Sequence, residues 1–165
     1  NEMMTIDQRI SRLHSVIDSA KLEEDDSWLS PEIDGTFNFD SPTEIMQALE
    51  NSGSPWAMET LEVLQKRSPL MLHVSLRQIR LGRHMSLADE LRLERTLVQH
   101  CFYTHHLERT GVKTETVEGI RALVIDKDHN PAWNPTRIQD VTSEMVDPFF
   151  VSPWAEMDHP LADLN

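Results

Sequence analysis

Residues 115–135 have the sequence ETVEGIRALVIDKDHNPAWNP. Apolar side chains recur at helical spacing through the first half of this stretch, at Val117, Ile120, Ala122, Leu123, Val124 and Ile125. Because the apolar arc covers most of a short helix, the pattern predicts that this helix is buried. After it, Asn130-Pro131 indicates a turn, and Asn134-Pro135 has the side-chain acceptor and the fixed φ that favour the start of another helix.

The same stretch resembles a family signature. Residues 118–128, EGIRALVIDKD, followed by NPAWNP at 130–135, resemble the C-terminal signature of the 3-hydroxyisobutyryl-CoA hydrolases, which belong to the enoyl-CoA hydratase, or crotonase, superfamily. Residues 68–78, SPLMLHVSLRQ, resemble that family's Ser-Pro-x-x-Leu-x-x-x-Leu-Arg-Gln helix. The two motifs occur in the expected order, and the resemblance covers roughly residues 36–150.

Composition narrows the possible functions. The chain has 165 residues and a net charge of −13, and only residues 68–127 carry slightly more bases than acids. Without clustered Lys and Arg, a general nucleic-acid binder is not expected. Cys101 is the only cysteine, so it has no partner for an internal disulfide. No apolar run approaches the length of a membrane span, so no membrane partner is expected either.

Periodicity and composition predict four regions. Residues 1–20 are expected to form a leading amphipathic helix, with Ile6, Ile10, Leu13, Ile17 and Ala20 packed on an absent partner domain. Residues 21–40 are expected to be an acidic linker, residues 41–150 a helical domain, and residues 151–165 an extended tail.

Capping residues place the helices of that domain. Ser-Pro pairs at residues 41, 54 and 68 each predict a helix start, and Ser86 predicts the start of the longest helix, ending near Arg109. Thr114 is expected to cap the signature helix. Inward faces are predicted for Leu72, Leu76 and Ile79 on the third helix, and for Leu87, Leu91, Leu93, Leu97, Val98, Cys101 and Phe102 on the longest. The predicted fold class is all-α, a helical bundle matching the C-terminal helical region of a crotonase-type protein.

The resemblance also implies where the chemistry lies. In that superfamily a preceding domain supplies the oxyanion hole and the catalytic carboxylates, so both are expected upstream of residue 1 and no catalytic residue is assigned here. Arg121 and Lys127 are the implied contacts to coenzyme A, which enters as part of the substrate and not as a separate cofactor. Alternatively, Lys127 only complements the helix dipole. The chain departs from the family pattern at Glu115-Thr116, in place of Asp-Phe, and in extra residues at 108–113.

Three other groups of residues could carry chemistry. Arg77, Arg80, Arg92 and Arg95 form i,i+3 pairs that could bind phosphate or a partner, or could simply pair with Asp89, Glu90 and Glu94. Cys101 and His105, with His100 and His106 nearby, have the i,i+4 spacing of metal ligands, but a buried cysteine beside exposed histidines is favoured because no second such motif exists. The acidic pairs Asp25-Asp26 and Asp126 with Asp128 have no sign of burial.

The resulting hypothesis is the C-terminal segment of a hydrolase that cleaves a short branched hydroxyacyl-CoA thioester in valine breakdown. The implied partners are an N-terminal crotonase core domain, acyl-CoA and a homo-oligomeric copy, and the implied location is the mitochondrion. The alternatives are a structural subunit of the mitochondrial small ribosomal subunit derived from the same family, or a helical assembly module. No activity is expected from the segment alone.

Overall fold

A computed structural model describes residues 11, 12, 15 and 31–164. The predicted leading helix, apart from three helical positions, and residues 21–30 of the predicted linker lie outside the described residues. The chain divides into two compact units, residues 1–34 and residues 35–165. Helix α1, Pro31–Phe37, includes the end of the first unit and the start of the second.

The second unit consists mainly of helices joined by short turns. Its longer helices are α2 (Pro42–Ser52), α3 (Pro55–Gln65), α4 (Pro69–Gly82) and α5 (Leu87–Phe102). A hairpin of β1 (Tyr103–Thr104) and β2 (Arg109–Thr110) follows, then α6 (Glu115–Ile120), a π-helical turn (Arg121–Ile125) and α7 (Ser143–Val146). Single 3-10 turns lie at His105–Leu107, Gly111–Lys113, Ile138–Asp140, Asp147–Phe150 and Glu156–Asp158.

The four helix starts predicted at serine residues are confirmed. The hydroxyl oxygens of the four capping serines accept backbone N–H groups three residues along, at 3.0–3.2 Å: Ser41, Ser54, Ser68 and Ser86. At the end of α2, Gly53 has φ 63° and its N–H bonds the Leu49 carbonyl at 3.2 Å. This positive φ favours glycine at position 53, because a residue with a side chain adopts such a φ only at an energetic cost.

The all-α prediction is wrong. Helix α5 ends at Phe102 and not near Arg109, and the chain forms a two-stranded antiparallel sheet that pairs Tyr103 with Thr110 and Thr104 with Arg109. Thr104 helps to end the helix because its hydroxyl donates to the His100 carbonyl at 2.8 Å. The longer loop noted at residues 108–113 is part of this hairpin and the turn after it.

A second prediction fails at Asn134-Pro135, where no helix begins. The peptide bond between these residues is cis, and the next helical turn is the 3-10 turn Ile138–Asp140. Three short helical elements lie between residues 136 and 150: Ile138–Asp140, α7 and Asp147–Phe150.

Two apolar clusters form the core of this unit. One joins α4 and α5 to α7 and the 3-10 turn after it through Leu70, Val74, Leu93, Leu97, Val146 and Phe149. The other joins α2 to α3 through Ile45, Leu49, Ala57 and Leu61. Helix α4 buries Leu70 and Val74. Of the residues predicted to face inward on α4, Leu76 is half-buried and packs against the second cluster, Leu72 is half-buried, and Ile79 is exposed. The error arises because apolar residues occur on all sides of α4.

The inward face predicted for α5 is only partly correct. Leu93 and Leu97 are buried and Cys101 is half-buried, but Leu87, Leu91, Val98 and Phe102 are exposed. Residues after Val151 return to α5, where Arg92 donates to the carbonyls of Leu161 and Ala162 at 3.0 and 3.4 Å. Within the described part of the chain, every helix is too short or too polar to cross a bilayer.

Candidate functional site

The signature stretch, residues 115–135, folds into one compact helix-and-return unit. Thr114 caps α6, its hydroxyl oxygen accepting the Val117 N–H at 3.4 Å, as predicted. The helix then widens into a π turn, closed by the Asp126 N–H to the Arg121 carbonyl at 2.8 Å. Lys127 and His129 both have positive φ, 55° and 52°, and so reverse the chain direction after the turn.

Arg121 holds the returning chain in place. Its Nε and Nη2 donate to the two Glu118 carboxylate oxygens at 2.9 and 2.8 Å, and its Nη1 donates to Asp126 and Asp128 at 2.6 and 2.8 Å. Nη2 also reaches the Asn130 carbonyl at 3.1 Å. A guanidinium has five N–H donors, and these five bonds match that number. The bonds to Arg121 lower the pKa of Glu118 and of Asp128.

The second half of the stretch closes back on α6. Glu118 accepts the Ala132 N–H at 2.6 Å, and the Trp133 indole N–H donates to the Lys66 carbonyl at the end of α3, at 3.1 Å. Gly119 faces the indole, since a Cβ added there would lie 3.2 Å from Trp133 Cη2. This close contact explains why the signature contains a glycine at position 119 and a tryptophan at position 133.

The apolar half of the signature is not buried, contrary to the prediction. Ala122 is buried, but Ile120, Leu123, Val124 and Ile125 are exposed by 41% to 68%. These four side chains are called the signature face below. The face borders a groove of about 570 Å³ between α3 and the signature helix, whose other lining residues include Val63, Arg67, His129 and Trp133.

A buried carboxylate lies at the other end of the signature. Glu115 is 7% exposed; it accepts hydrogen bonds from the Ser68 hydroxyl and from the Asn134 N–H, the latter at 3.0 Å, and its carboxylate is 3.8 Å from Arg109. Arg109 also donates to the Asn134 carbonyl. We call Ser68, Arg109, Glu115 and Asn134 the Glu115 cluster. A cavity of about 320 Å³ opens beside it, next to Val112 and Lys113.

Burial is the main cause that raises the pKa of Glu115, while the bonds from Ser68 and Asn134 and the charge of Arg109 act in the opposite direction. The cluster joins both family-like motifs, because Ser68 also caps α4. Sequence reasoning missed it: Glu115 looks like an ordinary acidic residue in the first turn of a helix. The available signal was the departure from the family pattern at Glu115-Thr116.

The other predicted residues do not converge on one site. The four arginines at positions 77, 80, 92 and 95 have separate partners, and only Arg92 pairs with one of the three acids, Asp89, Glu90 and Glu94, that the sequence suggested. Arg77 pairs with Asp147, and Arg80 donates to the carbonyls of Phe37 and Phe39. Arg92 pairs with Asp89 and donates to carbonyls near the C-terminus, and the Arg95 guanidinium lies over the Trp154 ring. Lys127 is exposed beside the signature face. Of the acidic pairs, Asp126 and Asp128 both bind Arg121, and Asp25-Asp26 lies outside the described residues.

The cysteine and the histidines occupy different environments. Burial raises the pKa of Cys101, with a hydrogen bond involving Thr116 opposing it. His100 and His106 bond the Val151 and Met145 carbonyls through Nε2, at 2.8 and 2.9 Å. His105 instead stacks on Tyr103. Among residues 11, 12, 15 and 31–164, no three His, Cys, Asp or Glu side chains are arranged to hold a metal ion.

Comparison with solved structures places the helical unit in a larger class. The crystal structure of a carnitinyl-CoA dehydratase from Mycobacterium thermoresistibile matches 92% of this chain and 36% of its own, with a TM-score of 0.59 and 25% sequence identity. The match is to the α/β crotonase fold, which also corrects the all-α prediction.

The chain belongs to the enoyl-CoA hydratase/isomerase family, whose model matches residues 2–150. The mitochondrial 3-hydroxyisobutyryl-CoA hydrolase of Gallus gallus is 40% identical over 118 residues, 72% of this chain and 28% of that protein. The Homo sapiens hydrolase of the same name is 34% identical over 137 residues, 81% of this chain and 33% of that protein. The small ribosomal subunit protein mS47 of Arabidopsis thaliana is 35% identical over 137 residues, 81% of this chain and 32% of that protein.

These comparisons confirm the resemblance to the 3-hydroxyisobutyryl-CoA hydrolases and to the crotonase superfamily. The chain spans about a third of the length of the curated relatives that it matches.

Proposed function

We propose that the chain is the C-terminal segment of a 3-hydroxyisobutyryl-CoA hydrolase-like protein that acts in valine breakdown in the mitochondrion. In the proposed reaction, water adds to the thioester carbonyl carbon and the carbon–sulfur bond breaks, giving a hydroxy acid and free coenzyme A. The oxyanion hole and the catalytic carboxylates are proposed to lie in a core domain upstream of residue 1. The identity to hydrolases, together with the short share of their length that is matched, supports this division.

The observation that carries the proposal is the signature face. Four large apolar side chains, Ile120, Leu123, Val124 and Ile125, are exposed on a unit whose polar side is tightly bonded by Arg121. An exposed apolar patch of this kind marks an interaction surface. We propose that the core domain covers the signature face, and that the adjoining groove forms one wall of the acyl-CoA pocket.

For the coenzyme A contact, the geometry favours Lys127 over Arg121. All five Arg121 donors have acceptors, so binding a phosphate would cost existing bonds. Lys127 is exposed at the reversal that Arg121 stabilises, and its ammonium group suits a phosphate oxygen. In this proposal Lys127 contacts the substrate, and Arg121 is a positioning residue that fixes the loop.

The test uses the full-length polypeptide that carries this segment. Turnover of 3-hydroxyisobutyryl-CoA, followed by the release of free thiol, should be measurable, and residues 1–165 alone should show none. Lys127→Ala should raise KM about three- to tenfold with kcat nearly unchanged, because it removes ground-state binding. Lys113→Ala, a second exposed lysine outside the signature loop, is the control. A full-length protein without hydrolase activity, or turnover by the isolated segment, would contradict the proposal.

A structural role in the mitochondrial small ribosomal subunit is the second candidate. It is favoured by the match to mS47, whose 35% identity over 81% of this chain is close to the 34% identity over 81% found for the Homo sapiens hydrolase. A signature face that docks on another protein would serve this role as well as it serves a core domain. Co-sedimentation of the full-length protein with small ribosomal subunits, combined with absent thioester hydrolysis, would favour this candidate over the first.

A further inference from the structure

The Arg121 guanidinium lies among more negative groups than it can neutralise. Its five hydrogen bonds, of 2.6–3.1 Å, go to one main-chain carbonyl and to three carboxylates, those of Glu118, Asp126 and Asp128. Among the ion pairs of the described residues, no other base has three acidic partners. Three carboxylates around one cation resemble the ligands of a bound ion more than a single surface ion pair.

The loop that these carboxylates belong to, residues 126–130, has a costly backbone. Lys127 and His129 both have positive φ, 55° and 52°, although neither is a glycine. Such conformations persist only where surrounding contacts enforce them. The His129 N–H bonds the Ala122 carbonyl at 3.1 Å, but most of the polar contacts of the loop pass through Arg121.

Two backbone N–H groups depend on the same carboxylates. The Asn130 N–H donates to Asp128 at 2.9 Å, and the Ala132 N–H donates to Glu118 at 2.6 Å. Both acceptor side chains are held by Arg121. Loss of the guanidinium should therefore free both N–H groups, even though neither bonds Arg121 directly.

The guanidinium also affects the charge beside Lys127. Lys127 is the residue proposed to contact a coenzyme A phosphate, and its neighbours in the chain are Asp126 and Asp128. Without a counter-ion, these two carboxylates would repel an anion that approaches the lysine. Their bonds to Arg121, at 2.6 and 2.8 Å, reduce that repulsion.

We propose that residues 118–130 form a binding site for a guanidinium ion and that Arg121 fills it as an internal counter-ion. A planar group with five N–H donors matches the acceptors, whereas an ammonium group has only three donors. The site should accept a free guanidinium ion once the side chain is removed. The consequence for the substrate rests on the proposed hydrolase function, and the guanidinium site itself does not.

The first test is hydrogen exchange of residues 126–132 in the purified chain. Arg121→Ala should speed exchange at Asn130 and Ala132 about fivefold or more, because their acceptors lose their cation. About 50 mM guanidinium chloride should reverse at least half of that change, a high concentration being needed because the free ion lacks the effective concentration of a tethered group. Equal urea, which has a similar shape but no charge, and equal NaCl should reverse none of it. Rescue by urea or NaCl, or no rescue by guanidinium, would overturn the proposal.

Two variants control this test. Arg137→Ala removes an arginine that pairs with Asp140 alone, and guanidinium should leave its exchange unchanged. Circular dichroism checks that the variants fold. Should Arg121→Ala not fold, Arg121→Lys keeps a cation but supplies three donors, so Asn130 and Ala132 should still exchange faster than in the wild type. Exchange as slow as in the wild type would overturn the match between the guanidinium and its acceptors.

The second test measures KM in the full-length polypeptide. Arg121→Ala should raise KM about three- to tenfold with kcat nearly unchanged. Adding Asp126→Asn and Asp128→Asn should lower KM again by about twofold or more, because the repelling charges are removed. A purely structural role for Arg121 predicts no such recovery, so a triple variant with KM as high as that of Arg121→Ala would overturn the charge argument. A wild-type protein without turnover would contradict the hydrolase function, and hydrogen exchange would still decide the guanidinium site.

Discussion

Replacing Glu115 should destabilise the fold more than any other carboxylate substitution in the described unit outside the Arg121 network. The carboxylate is 7% exposed and accepts hydrogen bonds from Ser68 and Asn134, and Arg109 beside it is 13% exposed. Glu115→Ala would leave those two donors unpaired and a partly buried guanidinium without its partner charge. Removing one member of a buried ion pair costs about 3–5 kcal/mol. Glu115→Gln keeps an acceptor oxygen and the shape, so we expect about 1–2 kcal/mol.

Urea unfolding of the three proteins, monitored by circular dichroism, measures these differences as shifts in the midpoint. Glu59→Ala on α3 is the control, because an exposed carboxylate should change the free energy of unfolding by less than about 0.5 kcal/mol. If Glu115→Ala costs no more than Glu59→Ala, the Glu115 cluster does not stabilise the fold and the reasoning fails.

The pH dependence gives an independent check on the same residue. The folded-state pKa of Glu115 is raised above its ordinary value of 4.5, mainly by burial. Between 4.5 and the raised pKa, the folded chain therefore binds more protons than the unfolded chain, so stability falls as the pH increases through this window. Glu115→Gln lacks this titration. Relative to that variant, the wild-type chain should become less stable as the pH rises above 4.5, and a gap that is constant or widens would contradict the burial argument.

Two further substitutions test the signature unit and the core. Gly119→Val should lower the free energy of unfolding by about 1–3 kcal/mol, because a Cβ at this position would lie 3.2 Å from Trp133, and chemical unfolding measures the change. Gly35→Val is the control, since a Cβ at position 35 meets nothing within 4 Å. Phe149→Ala should cost about 3–5 kcal/mol, since Phe149 is 1% exposed in the α4–α5 cluster. A fall in melting temperature no larger than that of Phe39→Ala, at an exposed aromatic, would place Phe149 outside the cooperative core.

The starts of the main helices could be predicted from the sequence. A capping serine acts through a backbone N–H group three residues along, so the positions of the serines predicted the starts of α2 to α5. The family could be recognised from the sequence for a related reason. Gly119 faces the Trp133 ring, and Arg121 bonds Glu118, Asp126 and Asp128, all within one stretch of 21 residues, so the signature is recognisable from that stretch alone.

Structural features that depend on contacts between distant residues could not be predicted from the sequence. The sequence shows apolar residues on several sides of α4 and α5. The packing of these two helices against each other and against the segment after α7 buries Val74 and Leu97 in the core, and it leaves Ile79 and Val98 exposed. The Glu115 cluster joins residues 47 positions apart, from the start of α4 to the start of α6. The exposed signature face is a further case, because apolar periodicity reports that a face will be covered and cannot report which body covers it.

Sequence alone thus determined the starts of α2 to α6 and the family. The hairpin after Phe102, the buried faces and the partners of each arginine were decided by tertiary structure. The physical reason is range: caps and turns are settled by backbone groups three or four residues apart, whereas burial and ion pairing depend on which elements the whole chain brings together.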